Sequence, residues 1–554
     1  MNKSSNARRV LGAALAAALS MAATLSTAAA GAGSANTDFP PANPYLADSG
    51  IPIFHSNSGQ SGAAIVPGPK GKTRQLKESD IIWKKLGPND GYSIQYSGVY
   101  PNGKRVGWFG GTQLLAKLDP DTLETKSTYV LHKGKFYTAE EIENLFAKAD
   151  KLKGQALLDA LVPPLAKGIE RGVQSTYRLL DHDHNLYMLN TDLTNGDQMI
   201  SKFGDAVDSD PDSDIVLKGE FRLPHAEGER FISEAMNITY DGTLIIVTLD
   251  GTLFAVSRDF KLLDKIYLPD RETSGKEFMN AFVRNSMAID EQGGIYLVSR
   301  TRLQRVQWTG SKLSMDPADG AWSETYPSGK RGSGTTPSLI GWHTGQDKMV
   351  VIGDGEESVM VFWRDKIPED WAALKGYSRR VASVVPMHFT DDPNEHIKLE
   401  NALVSMGNGV FVANDTPTKE VAWQGTFMKT AIAERYVGQT GGSEIKGGIK
   451  WQWNPRTRKL ETAWKTPLAL VSSICTPSAN GLLYCVGMRD GVSTIEALDW
   501  ETGKAAFHYL LGKSYRYSIM GGMLDVAPNG DIEAGAAGGY GIFRVRTPKE
   551  DRKR

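Results

Sequence analysis

The chain has 554 residues, with 63 Lys and Arg against 64 Asp and Glu. Charge this evenly balanced offers no basic surface for nucleic acid, and beyond the first thirty-odd residues no segment is long and apolar enough to span a membrane. A length of about 500 residues would ordinarily be divided among several domains.

The N-terminus reads as an export signal. Arg8 and Arg9 precede an apolar stretch from Val10 to Leu25, and small residues follow at Ala28-Ala29-Ala30 and Ser34-Ala35. That order of charged, apolar and small segments marks a leader, assigned here to residues 1–30, that is removed and takes no part in the fold. The arginine pair leaves both a twin-arginine and a general secretory route open. The mature protein is expected in a periplasm or outside the cell. Residues 31–79 are rich in Pro, Gly, Ser and Asn and read as an extended arm over the surface.

From about residue 80 a β pattern begins. Gly107-Trp-Phe-Gly-Gly-Thr-Gln-Leu-Leu-Ala-Lys-Leu118 runs into a turn at Asp119-Pro-Asp-Thr122. Thr138-Ala-Glu-Glu141 is a capping box, followed by Ile142, Leu145, Phe146, Ala149 and Leu152 at helical spacing. A second helical piece over Ala156–Leu161 is expected to stop at Pro163-Pro164. Residues 138–172 are therefore read as a helical insertion, either a packing cap on the fold or a lid over a channel mouth. Asp181-His-Asp-His184 falls at a predicted hairpin turn. Asp208-Ser-Asp-Pro-Asp-Ser-Asp214 lacks the Gly and distal Glu of a calcium loop and reads as an exposed acidic loop.

Then the chain repeats itself. Glu234-Ala-Met-Asn-Ile-Thr-Tyr-Asp-Gly-Thr-Leu-Ile-Ile-Val, Asn285-Ser-Met-Ala-Ile-Asp-Glu-Gln-Gly-Gly-Ile-Tyr-Leu-Val and Glu400-Asn-Ala-Leu-Val-Ser-Met-Gly-Asn-Gly-Val-Phe-Val are apolar runs folded about a Gly-bearing turn. Each reads as a β-hairpin. The Asp119 turn also returns, at Trp453-Asn-Pro-Arg-Thr457 and Leu498-Asp-Trp-Glu-Thr-Gly503. Units starting near residues 92, 174, 234, 285, 335, 401, 472 and 521 predict an all-β fold. It is a single propeller of seven or eight blades over 80–546, one blade drawing strands from both chain ends. Residues 547–554 form a charged tail. Cys475 and Cys485 lie symmetrically about Asn480-Gly481, so in an oxidising compartment they are expected to be bonded.

Aligned on their turns, the repeats place Glu234, Asn285 and Glu400 equivalently, just before the innermost strand of each unit. Thr176, Ser473 and Thr335 or Thr336 fall in the same register. Inner strands run beside the axis, so these residues are expected to converge on one mouth. Two carboxylates, an amide and hydroxyls suit a hard cation such as Ca²⁺, which polarises a carbonyl and acidifies bound water. Without metal, Glu234 is a candidate general base. The third reading is that these groups merely bond exposed backbone at strand starts. His225 and His343, near predicted unit entries, are candidate acids or bases, and Arg284 is a candidate holder of an anionic group. Gly332-Ser-Gly-Thr-Thr-Pro-Ser338 lacks the Lys of a phosphate loop. No nucleophile elbow, HExxH, dinucleotide fingerprint or CxxCH is present.

The Asn285–Ser299 phrase resembles the repeat of regucalcin-like and gluconolactonase-like propellers, and more widely of strictosidine-synthase-like and NHL propellers. That resemblance implies one axial Ca²⁺ held by Glu234, Asn285 and Glu400, and a hydrolase or lactonase acting on a small organic substrate. Ala497-Leu-Asp-Trp-Glu-Thr-Gly-Lys504 is similar to the outer hairpin of pyrroloquinoline quinone (PQQ) propellers, which implies a quinoprotein dehydrogenase as the alternative. Cys475 and Cys485 are not the adjacent pair of the alcohol dehydrogenases in that group. A propeller that binds a ligand or protein without catalysis is the third function class.

Overall fold

The computed structural model describes residues 38–551 apart from short internal segments, the longest of them 272–280 and 418–426. The leader calls therefore lie outside the described residues. The strands form eight sheets, one after another along the chain, antiparallel except where Arg74–Gln75 pairs with the edge of the seventh, and they make an eight-bladed propeller. The innermost strands start at Gln95, Leu179, Ser233, Ala288, Ser338, Val404, Thr476 and Leu524 in blades 1 to 8. The eight unit starts read from the repeat match them. Blade 8 is closed from the other chain end, because Ile81–Lys84 pairs with Ile542–Val545 as its outer strand.

Apolar side chains fill the wedge between each pair of neighbouring blades. Blade 3 shows why its strands read as unbroken apolar runs. Leu244 and Ile246 pack toward blade 2, while Ile245 and Val247 pack toward blade 4. The inner three strands of this blade are buried on both faces, so the usual in–out alternation is lost there. The hairpin turns are those the repeat predicts: Gly242 and Gly293 close theirs at φ 88° and 81°, where a Cβ would be strained. In the outer turns, Asp119 Oδ1 accepts from the Thr122 N–H at 2.9 Å and Asp499 Oδ1 from the Thr502 N–H at 2.8 Å, as Asx turns do.

Only the last part of the N-terminal arm lies over the surface, where Arg74–Gln75 adds to the outer strand of blade 7. Residues 43–66 run into the channel and bond to inner strands around the ring. Tyr96 N–H donates to Ile51 O (3.0 Å) in blade 1, Leu180 N–H to Pro52 O (2.7 Å) in blade 2, and Ile289 N–H to Ser58 O (2.7 Å) in blade 4. Ser405 N–H donates to Ser61 O (2.8 Å) in blade 6 and Ala64 N–H to Pro477 O (2.8 Å) in blade 7. Asn43 Nδ2 donates to Ile238 O (3.1 Å) in blade 3, and His55 N–H to Met523 Sδ (2.9 Å) beside blade 8. In blade 5, a Cβ on Gly59 would stand 2.2 Å from the Trp342 ring. The arm is a plug. Its composition hid this, because Pro, Gly, Ser and Asn are turn formers and also fit a narrow axis lined by backbone amides.

Three other expectations need correction. The second helix runs from Gly154 to Ile169 straight through Pro163 and Pro164. Leu157, Leu161, Val162, Leu165 and Ala166 are buried in a helical cluster, and that packing outweighs the hydrogen bonds the prolines remove. A third helix, Phe427–Val437, was not read from the sequence. It joins the same cluster through Ile432, Ala433 and Tyr436. The tail is docked as far as Asp551, which pairs with Arg74 at 2.9 Å and accepts from the Tyr509 hydroxyl at 2.9 Å.

Cys475 and Cys485 are bonded, with Cα atoms 4.6 Å apart. The ladder pairs Thr476 with Tyr484 and Pro477 with Leu483, so the cysteines face each other one step further on. Among the described residues no helix is long and apolar enough to cross a membrane.

A buried acid pair sits where the ring closes. Asp525 and Glu533 are directly opposed on neighbouring strands of blade 8, both 2% exposed. Burial, then the Glu533 charge, hold the Asp525 carboxyl well above the usual range. The folded chain thus keeps a proton that the unfolded chain releases near pH 4, so this group's contribution falls as pH rises above that value. Asp525→Asn is expected to remove the decline and to be more stable than the native protein at pH 7, with no gain at pH 3. Urea melts across that range check it; equal gains at both pH values would refute the acid-pair account.

Candidate functional site at the channel mouth

Strand direction sorts the connections. The innermost strands of blades 4, 5 and 6 begin on one face of the disc, and the plug bonds near their far ends. Links from an outer strand to the next blade, and from a second to a third strand, open on that same entry face. Both helical insertions are such links, one between Val130 and Leu179 and the other between Ala413 and Gly448. They pack as one cluster with Trp83 and Tyr515, anchored by Arg516–Glu143 at 3.2 Å and Tyr515 N–H to Asp150 at 2.8 Å. The helices therefore stand on the face that carries the predicted site.

Entry residues of three successive blades meet there. Arg284 of blade 4 reaches both carboxylate oxygens of Glu400, at the start of blade 6, at 3.4 Å. Its other terminal nitrogen donates to Ser333 O of blade 5 at 3.3 Å, and Asn285 Nδ2 donates to the same carbonyl at 3.1 Å. The two partners differ in hydration: the Arg284 side chain is 3% exposed and that of Glu400 38%. The Glu400 backbone is fixed, its N–H donating to Asp415 at 2.8 Å. Gly334 is required beside it, since a Cβ would come within 2.7 Å of Glu400 Oε2 and 2.3 Å of Leu399 O.

Glu234 occupies the equivalent place on blade 3, 1% exposed, at a register shift between Ser233 and Ala235. His225 stands at the rim by blade 2, its Nε2 3.3 Å from Asp197 Oδ1. His343 belongs to the opposite face: its Nε2 lies 3.0 Å from Phe39 O at the start of the plug. Thr335 is buried and accepts from the Gly353 N–H at 2.9 Å. Thr176 and Ser473 lie outside the described residues. Asp181 accepts from the backbone of its own turn, the Asn185 N–H at 2.8 Å. The acidic loop is held by lysines, Lys126 reaching Asp212 at 2.7 Å.

This donor set does not fit Ca²⁺. Calcium takes six to eight oxygens, whereas Glu400 already faces a guanidinium and Asn285 turns its N–H groups inward. Among the described residues no group of three or more His, Cys, Asp or Glu is placed to hold a metal. Arg284 is a cation held at this mouth.

The sequence reading missed several groups. Asp354, in the second-to-third-strand link of blade 5, is buried, and burial pushes its carboxyl up to about 6. Burial raises the Tyr326 hydroxyl, which accepts from the Ser333 N–H and also feels the charges of Arg284 and Asp354. Arg178 is 1% exposed and ties blade 2 to blade 1 through Ser93 O at 2.6 Å. His55 of the plug is 2% exposed, its ring parallel to Tyr177 at 6.5 Å. No periodic signal marks an isolated turn Asp or a plug His; only the topology brings them to the axis.

No family model matches the sequence. An uncharacterized protein of Archaeoglobus fulgidus is 28% identical over 528 residues, covering 91% of this chain and 89% of that one. The fold is similar to quinohemoprotein alcohol dehydrogenases of Pseudomonas putida (TM-score 0.49, 10% identity, 90% of this chain and 80% of that chain) and Comamonas testosteroni (0.46, 11%, 92% and 81%). It is also similar to a putative 6-phosphogluconolactonase of Bacteroides fragilis (0.35, 11%, 80% and 98%). These likenesses reach no further than the propeller fold.

Proposed function

We propose that the protein is an exported propeller that binds a small anionic organic molecule at the entry-face mouth of its channel. The observation that carries this is the desolvated Arg284 guanidinium, aimed across blade 5 at a carboxylate that is itself open to solvent. Guanidinium is weakly hydrated and matched to planar anions, and a fixed, water-poor setting strengthens its hold. The plug blocks the far end of the channel, so a ligand enters from the face bearing the helices. Export is supported by the Arg8–Ala30 pattern and by the Cys475–Cys485 bond, which suits an oxidising compartment. For a hydrolytic reaction, we assign Glu234, a buried carboxylate of blade 3, as general base.

The test is affinity-selection mass spectrometry on protein purified from its export compartment. The expected result is a carboxylate- or phosphate-bearing molecule held by the native protein and bound at least about thirtyfold more weakly by Arg284→Gln, the cost of removing a charged partner from a buried anion. A ligand that is neutral or cationic, or that Arg284→Gln holds equally well, would refute the reading. PQQ is itself a carboxylated anion, and a quinone absorption band in the same preparation would identify it as the occupant.

A further inference from the structure

The Arg284–Glu400 contact is among the longer ion pairs of the described residues, like Arg271–Asp250 at 3.4 Å. Arg258–Asp183, Arg489–Glu496 and Arg222–Asp192 all close to 2.8 Å, the distance normal for charge-assisted bonds. Arg284 stays 3.4 Å from both Glu400 oxygens. The guanidinium is held at its base by Ser333 O, and the Glu400 backbone is held by Asp415. What remains movable is the Glu400 side chain, which approaches from the solvent side. Gly334 leaves the space in which its carboxylate lies.

We propose that Glu400 is a built-in stand-in for the ligand's anionic group: it occupies Arg284 in the empty protein and swings out when a carboxylate-bearing ligand arrives. This rests on the anion-binding reading above and adds to it both the ligand class and a selectivity device. A neutral molecule that displaced the stand-in would break the Arg284–Glu400 charge contact and put no charge in its place. A carboxylate replaces like with like, and Glu400 gains full hydration on release. Asn285 and Ser333 are not displaced, since they bond to each other.

The experiment titrates acetate and succinate, with acetamide and succinamide as controls, into the native protein and Glu400→Gln by calorimetry and thermal shift. A competitor that fills the site most of the time lowers apparent affinity by the fraction of time the site is open. Glu400→Gln is therefore expected to bind carboxylates about tenfold more tightly than the native protein, and to bind the amides no better. Carboxylate binding that is unchanged or weaker in Glu400→Gln overturns the stand-in, because Glu400 would then be a spectator or a ligand contact. A co-purified anion lost in Arg284→Gln alongside an unchanged Glu400→Gln affinity would sink this inference alone. No anion bound by either protein would sink the anion-binding reading as well. A thermal melt of Glu400→Gln in buffer verifies that the half-exposed substitution leaves the disc folded.

Discussion

A chain starting at Thr73, without the plug, is expected to lose the native disc rather than open a pore through it. Ile51, Ile53, Phe54, Ala63 and Ala64 are each 3% exposed or less, and each buried side chain of the larger kinds is worth about 1.5–3 kcal/mol. Their removal would also orphan amides such as Leu180 N–H, Ile289 N–H and Ser405 N–H, now paired with Pro52, Ser58 and Ser61. A buried unpaired amide costs about 1–3 kcal/mol. The sum exceeds the about 5–15 kcal/mol by which domains are stable. Circular dichroism and a thermal melt check it: no cooperative transition is the expected outcome, and a native-like melt would show the ring to be self-sufficient. A finer version is Gly59→Ala, whose methyl would collide with Trp342. It should lower the melting temperature, and Trp342→Leu in the same chain should restore part of the loss.

The plug also shows where legibility ended. A propeller of seven or eight blades could be read because each inner hairpin repeats one pattern, apolar runs about a Gly turn; the structure has eight. The disulfide was legible for the same reason, since the turn at Asn480-Gly481 fixes which residues face each other. Asn285 and Glu400 were found by the register they share with Glu234, and Arg284 as the neighbour of Asn285; Arg284 reaches Glu400 and bonds the same Ser333 carbonyl as Asn285. Their chemistry was misjudged, because register says which residues approach the axis but not which of them pair. An arginine one step before Asn285 was enough to take the place expected for a metal. The plug, the third helix and Asp354 have no repeat to betray them. Their positions depend on contacts between segments hundreds of residues apart, such as the His55 N–H on Met523.

His55 is expected to make the fold acid-labile. Burial pushes its imidazole down to about 3, while an unfolded chain titrates near 6.5. The folded state then binds fewer protons than the unfolded one between those values. Stability contributed by neutral His55 is present above about pH 6.5 and is lost as pH falls toward 3. At about 1.36 kcal/mol per unit, the loss is about 3 kcal/mol at pH 4. Asp525 and Asp354 work the other way, since their raised carboxyls favour the folded state as pH falls, and they mask part of the effect in the native protein. The informative quantity is therefore the slope difference between the native protein and His55→Asn. Asn suits this position because His55 has φ 64°, a left-handed conformation that Asn tolerates. Losing the ring's packing against Tyr177 and Phe54 should lower stability at pH 7.5. From pH 6.5 to 4 the variant should then decline less steeply, by about 3 kcal/mol in total. Urea midpoints at half-unit steps supply both curves. Parallel curves would mean that the plug lets water or a proton reach His55, and that the axis above it is wet rather than sealed.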